Sequence, residues 1–483
     1  MEDMIIMIAL MRDWFGRLGG VAVVRFVFWS VACLSMGERS MVLADEVPSE
    51  VVLKESRGTD RATVVRIELK ADGLFRPGLP PEAMTAEAKM PKPLDIDIQT
   101  RMIFRERLVK TPEAGGAGPL KAVRLVSQAA SAINGEIRPA VRELRPELSL
   151  LIAERAESDG AVTVVSPSGS LTRDELELVQ GLGDPLCFDA LLPEGPVARG
   201  AKWAVRKSAS MAISGYDAIK SSKVEAELET ITDDQARIGI RGEIQGEVLG
   251  GAGTVTCEGF ATFDRRAGLI DRIELKRKET REVGPIEAGL DLKSTLAIAR
   301  RPTAIPKDLS DDVLKGTSLD LTPARKLLQL IAYDGRYDLL HDRTWHTYWD
   351  DPKLIVLKRF QRGVVTVQCN FSDGPPAGAG KHQDVEEFRA DVRRALKGRF
   401  GQFLGAGEIA GDAGDGFRYK IGVQGREGDV GLLWYYYLIA SPRGDQLLAT
   451  FTMLENEARD FAEDDVALIG SLQWNDPPLK VKR

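Results

Sequence analysis

The densest group of side chains able to do chemistry is His341, Asp342, His346, Asp350 and Asp351. Imidazole and carboxylate together are the donors of a divalent-metal site. The spacing argues against one. His341 and His346 are five positions apart, which puts them on opposite faces of a strand and off a common face of a helix. Only a loop could bring them together. A structural zinc would want four closely spaced Cys or His ligands, and the chain has three histidines, the third being His382. The group therefore reads as a polar turn flanked by core Trp345 and Trp349, and no residue is assigned to a metal.

Nucleophiles are no better placed. Ser168-Gly169-Ser170 lacks the Gly-x-Ser-x-Gly turn that exposes a serine between strand and helix. The run from Gly374 to Lys381 is the nearest thing to a phosphate-cradling loop. Gly374 sits one residue early, His382 follows the lysine where Ser or Thr is needed, and Pro375 and Pro376 remove two N–H donors. It reads as a plain loop. Paired carboxylates occur at Asp350-Asp351 and Asp464-Asp465. Glycosidase-type chemistry needs two acids across a cleft with one desolvated, which spacing alone cannot supply. Asp464-Asp465 is expected on the wet side of the last helix. The sequence thus assigns no catalytic residue and no cofactor.

Tyr435, Tyr436 and Tyr437 lie in a run apolar on both faces. Alternate residues of a strand point oppositely, so Tyr436 faces away from the other two, and one side could line a groove. Cys257 and Cys369 fall on the apolar sides of alternating strands, the positions of small buried hydrophobes. Export would permit a Cys187–Cys257 bridge, and that pairing stays open.

The elements that must position these residues fall into two groups. Over 200–300, strict period-2 alternation with short turns predicts consecutive antiparallel hairpins, one face buried and one wet. Gly242, Gly246 and Gly259 inside those strands would permit bends or bulges in a curved sheet. Earlier strands are expected near Thr63–Leu69, from Leu94, and at 121–128, 147–154 and 161–166. Thr172 is placed to cap a short helix that Gly181, Gly183 and Pro185 stop. Pro302, Pro306 and Pro323 bracket a linker at 301–326. Beyond it the spacing predicts strands near 337–341, 353–360, 364–371, 403–410, 417–423, 432–440 and 446–454. Helices are expected over 383–397 and 456–472.

In residues 330–475, Tyr337 leads into Trp345, and a Val364–Phe371 strand precedes the Glu386-Glu387-Phe388 helix. The Trp434–Ile439 strand, Phe451-Thr452 and the stretch Phe461–Leu472 follow. In order and spacing this region resembles the PsbP-like α/β/α sandwich domains. The resemblance covers about a third of the chain and implies a module that binds or assembles rather than reacts. The middle region loosely resembles exported proteins built on curved antiparallel half-barrels, some of which carry lipids.

Compartment follows from the N-terminus. Arg12, Arg17 and Arg25 precede an apolar run from Phe26 to Met36, and Val42-Leu43-Ala44 suits signal cleavage near Ala44. The run is shorter than the ~20 residues of a membrane span. Met11 is an alternative start to Met1, and Cys33 leaves lipid anchoring open. A net charge of −7 from 65 basic and 72 acidic residues, with signs interspersed, excludes a nucleic-acid footprint.

The expectation is an α+β protein. Residues 1–44 are a signal peptide, 45–300 an antiparallel β-rich curved sheet or half-barrel, and 301–326 a linker. Residues 327–475 form a PsbP-like sandwich with an antiparallel sheet, and 476–483 a tail. The expected role is that of an exported, periplasmic or extracellular, non-enzymatic binding or assembly module. Its partner would be an apolar ligand or a protein, with no transmembrane segment after cleavage. A carboxylate-dependent hydrolase acting between the two domains is the alternative.

Overall fold

The computed structural model describes residues 50–56, 58–78, 91–110, 119–136, 139–157, 160–409 and 416–479. The signal-peptide, start-site and Cys33 expectations lie outside the described residues. The described chain is β-rich α+β, dominated by antiparallel sheets.

Thirteen strands form the first sheet. They are β1 (Ala62–Arg76), β2 (Leu94–Lys110), β3 (Leu120–Gly135), β4 (Ala140–Glu143), β5 (Leu150–Arg155), β6 (Val162–Val165), β7 (Lys202–Ala204), β8 (Ala218–Ser222), β9 (Glu225–Ile231), β10 (Gln235–Val248), β11 (Gly251–Asp264), β12 (Leu269–Arg281) and β13 (Gly289–Thr303). The main order is β6-β5-β3-β2-β1-β13-β12-β11-β10-β9-β7. Two meanders are joined where β1 pairs with β13, from Ala62 opposite Thr303 to Arg76 opposite Gly289. Period-2 patterning does what it should. Ala236, Ile238, Ile240 and Ile244 of β10 are buried, while Arg237, Arg241 and Glu243 face out. The β10–β11 hairpin closes through Leu249 and Gly250, both at positive φ (45° and 80°), as a two-residue loop matched to strand twist requires. Gly246 sits at a register shift against β8, where a Cβ would lie 2.3 Å from the Ala218 carbonyl oxygen.

The buried face of this sheet is filled by its own chain. Between β6 and β8 run α1 (Arg173–Val179), a 3-10 turn at Pro185–Leu191 and α2 (Lys207–Ser214). Thr172 caps α1 in a reciprocal capping box with Glu175. Leu176, Val179, Phe188, Leu191 and Ile213 pack with Ile67, Phe104, Ile273 and Ile298 of the strands in one core. An N-terminal strap joins them, with Val51 and Leu53 buried and Val51 bridged to Val197.

The stretch expected as a linker is packed. It holds α3 (Asp311–Leu314) and α4 (Pro323–Lys326). Leu309 and Leu314 bury against Val123, Ile152 and Val165, on the opposite side of β3, β5 and β6 from the main core. That is why these strands are apolar on both faces.

The second part has a small sheet of β14 (Leu328–Ile331), β15 (Tyr337–His341) and β23 (Gln473–Trp474). Its main sheet contains β16 (Trp345–Asp350), β17 (Leu354–Gln361), β18 (Val364–Asp373), β19 (Phe400–Glu408), β20 (Phe417–Glu427), β21 (Val430–Ala440) and β22 (Gln446–Leu454). The order is β16-β17-β18-β22-β21-β20-β19. Helix α5 (Val385–Leu396) covers one face, packing Phe388, Val392 and Leu396 on Trp434, Tyr436 and Leu438. The closing helices α6 (Ala458–Phe461) and α7 (Asp464–Gly470) cover the other, with Phe461, Leu468 and Ile469 against Tyr437, Ile439 and Phe451. The single helix expected at 456–472 is broken at Ala462, whose φ is +48°. The polar turn expected around His346 is instead strand β16.

Candidate functional site

Three groups of buried polar side chains are the candidates. The first lies on the filled face of the large sheet. Glu106 of β2 and Arg124 of β3 are cross-strand partners. Arg124 Nε donates to Glu106 Oε2 at 2.8 Å. Its two terminal nitrogens grip Asp184 bidentately, at 2.9 and 2.6 Å. Beside it, Arg300 Nη1 donates to Glu55 Oε1 at 2.9 Å and to the Ile270 carbonyl. The same Glu55 oxygen accepts from Ile270 N–H. Desolvation holds the Glu106 carboxyl above its usual range, and Arg124 opposes it. A cavity of about 40 Å³ remains among Glu55, Arg61, Glu106, Asp189 and Arg300. That is room for a few waters at most. The arrangement ties the strap and the 3-10 turn to the sheet, and the acids are occupied by guanidinium groups.

Sequence reading missed this group, although a signal existed. Glu106 continues the inward stripe of Met102 and Phe104, so its alternation placed a carboxylate in the core.

The second group is the junction between the two parts. Arg173 Nη2 on α1 donates to the carbonyls of Arg343 and Trp345 at 2.7 and 2.8 Å. His341 is buried, with Nδ1 2.7 Å from the Asp342 carbonyl oxygen. His346 is buried on β16. Burial pushes His341 down to about 4 and His346 down to about 3, and the Arg173 charge adds to both shifts. Asp342 accepts from Thr344 N–H at 2.7 Å, and Asp351 accepts from Trp349 Nε1 and the backbone of Lys353 and Leu354. These carboxylates finish turns. Among the described residues no group of three or more His, Cys, Asp or Glu is placed to hold a metal. Nearby, Lys358 of β17 donates from Nζ to the Pro285 carbonyl at 2.9 Å, with Nζ 3.2 Å from the Tyr348 ring centroid. Burial pushes the Lys358 amine down to about 7.

The third group corrects an expectation. Asp464 is partly exposed and pairs with Arg359 at 2.5 Å, but Asp465 is fully buried. Tyr437 donates its hydroxyl to Asp465 Oδ2 at 2.5 Å, and Lys420 reaches the same oxygen. Among the described residues, Oδ1 of Asp465 has no hydrogen-bond partner. Asp465 lies three residues before Leu468 and four before Ile469, the spacing of one helix face, and both are buried. That placed it inward despite its charge.

The remaining sequence candidates are structural. Ser168 and Gly169 form a tight turn, with Ser168 N–H on Ser166 Oγ. The Gly374–Lys381 loop packs on the 441–446 turn, spending Ala377 N–H on Gly444 O and Gly380 N–H on Pro442 O. Cys187, Cys257 and Cys369 are free and buried, so Cys187 and Cys257 are not bridged. Burial raises all three thiols, Cys257 to about 11. Tyr435 and Tyr437 do face away from Tyr436. Among the described residues no helix is long and apolar enough to cross a membrane.

No family profile matches the chain, and no curated protein matches it. Solved structures give partial likenesses. A Bacteroides thetaiotaomicron VPI-5482 protein is 11% identical over 30% of this chain and 48% of its own, at a TM-score of 0.23. This chain thus spans about half of that protein's length. The Saccharomyces cerevisiae Ran-binding protein Mog1p is 10% identical over 31% of this chain and 95% of its own, at 0.24. The cyanobacterial PsbP of Synechocystis sp. PCC 6803 is 14% identical over 33% of this chain and 99% of its own, at 0.23. These are loose likenesses of fold, among them a PsbP-type protein, and they bear on no activity.

Proposed function

We propose that this is an exported, non-enzymatic binding or assembly module of the cell envelope. Its first part is a half-barrel, its second a PsbP-like α/β/α sandwich, and its ligand is another protein's surface. The observation that favours a protein over an apolar ligand is the filling of the large sheet's buried face. Phe188, Leu191, Ile213 and the strap residue Leu53 occupy the space an acyl chain would need. Among the described residues, a cavity of about 40 Å³ lies there, lined by Glu55, Glu106 and Arg300 as well as Leu108 and Leu120. Export rests on the basic-then-apolar N-terminus ahead of Ala44. The hydrolase alternative places its carboxylates between the two parts, where Asp342 and Asp351 accept hydrogen bonds from their own turns.

Native mass spectrometry and lipid extraction of protein purified from the envelope fraction test this reading. The expected result is the bare polypeptide mass, with in-cell cross-linking joining the chain to a defined protein. A stoichiometric co-purifying lipid, or turnover of a glycoside or ester substrate lost with Glu106→Gln, would overturn it.

A further inference from the structure

We infer that the free edge of β19 is a docking site for an extended peptide bearing acidic side chains two residues apart. The inference rests on the binding-module reading and names the surface and its partner. β19 ends the main C-terminal sheet and pairs only with β20 among the described strands. Seven of its nine residues are exposed, including the large apolar Leu404. An uncovered edge presents a row of N–H and C=O groups that an added strand satisfies. The stretch Gly405-Ala406-Gly407 carries almost no side chain, and a Cβ on either glycine would meet nothing within 4 Å. A second strand can therefore approach closely.

Charge selects the occupant. Arg389 and Arg393 of α5 lie over the side chains of this edge. The Arg389 guanidinium is 4.4 Å from the Phe403 ring centroid and that of Arg393 is 4.8 Å from Phe400. Stacking orients both, and among the described residues neither forms an ion pair. They are four residues apart on one helix face, which is about 6 Å of rise. Alternate side chains on one face of a strand are about 6.6 Å apart. Carboxylates at i and i+2 of an added strand match that spacing, and a guanidinium binds a carboxylate through two parallel hydrogen bonds. A second copy of this chain fits poorly. A two-fold antiparallel pairing of β19 edges would bring both Arg389–Arg393 pairs together.

The test uses the full chain and three blocked octapeptides. One alternates Glu and Val, one alternates Lys and Val, and one is the Glu–Val peptide N-methylated at alternate amides. Anisotropy and hydrogen exchange should show saturable binding of the Glu–Val peptide, with added protection at 400–408. The Arg389→Glu/Arg393→Glu variant should bind at least tenfold more weakly at unchanged thermal stability, and the N-methylated peptide should not bind. Equal binding of the Lys–Val peptide, protection elsewhere, or peptide-free protection that grows with protein concentration would each overturn it. If the peptide fails while cross-linking still captures a protein partner at another surface, this inference falls and the binding-module reading stands.

Discussion

The hydroxyl of Tyr437 lies 2.5 Å from Oδ2 of Asp465, 28 residues later, and joins the central strand β21 to the closing helix α7. Lys420 meets the same oxygen, so one buried carboxylate anchors three elements. Asp465 is fully buried. Removing the hydroxyl takes one of two donors from a buried carboxylate oxygen and leaves Lys420 on it, and a hydrogen bond to a charged group is worth more than a neutral one. Tyr437→Phe should lower unfolding free energy by about 1–3 kcal/mol in urea titrations. A double-mutant cycle with Asp465→Asn should show coupling of at least about 0.5 kcal/mol. Strict additivity of the two changes would remove the anchor.

Acid should loosen the junction. Burial lowers His341 to about 4 and His346 to about 3 in the folded chain, against an ordinary ~6.5 when unfolded. Between those values the unfolded chain binds protons that the folded chain refuses. Stability is therefore fully present above about pH 6.5 and is lost as pH falls toward 4, with each group adding up to about 1.4 kcal/mol per pH unit. Denaturant midpoints measured from pH 7 to 4.5 should drop less steeply in His341→Asn and His346→Gln. Parallel curves for variant and wild type would refute the assignment.

Lys358 should act in the opposite range. Its folded value near 7 lies below the ordinary ~10.4 of an unfolded lysine. From pH 7 to 10 the unfolded chain holds the proton that the folded one releases, so this residue makes stability rise with pH across that window. Tyrosines with raised values oppose the rise at the alkaline end, so the informative quantity is wild type minus variant. Wild type minus Lys358→Met should rise between pH 7 and 9, with the variant's advantage largest at pH 7. A flat difference curve would show that the amine stays charged against Pro285 and Tyr348.

Much of this architecture is legible in the residues, and the failures have physical causes. Period-2 alternation located β9 to β13 because each strand has one wet face. It was less informative for β5, where Leu151, Ile152 and Ala153 are consecutively buried. Such a run signals two covered faces, and the second cover is the supposed linker at 305–321. The helix expected at 456–472 had the right inward stripe, but nothing local forces the left-handed turn at Ala462. The buried ions were hidden by the assumption that charge means surface. Glu106 and Asp465 both sat on inward positions of their own periodicity, and only a partner far along the chain makes such a position tolerable.

Arg124 makes that dependence measurable. It is almost wholly buried and is the shared partner of Glu106 and Asp184, which are also buried. Replacing a buried ion pair whole can be neutral, but removing one partner strands the other charges in a medium that solvates them poorly. Arg124→Met keeps an unbranched apolar stem and removes all three donors, leaving two carboxylates. It should cost about 3–5 kcal/mol. Desolvation already raises Glu106, so protonation of that acid is the cheapest escape, and the variant should recover part of the loss as pH falls from 7 toward 5. Adding Glu106→Gln and Asp184→Asn to Arg124→Met should restore a large share of the stability at pH 7, because the amides carry no charge to strand. Urea unfolding of the single and triple variants separates the outcomes. A triple variant as unstable as the single one would mean that the packing of the guanidinium on Phe104, 5.1 Å away, matters more than its charge.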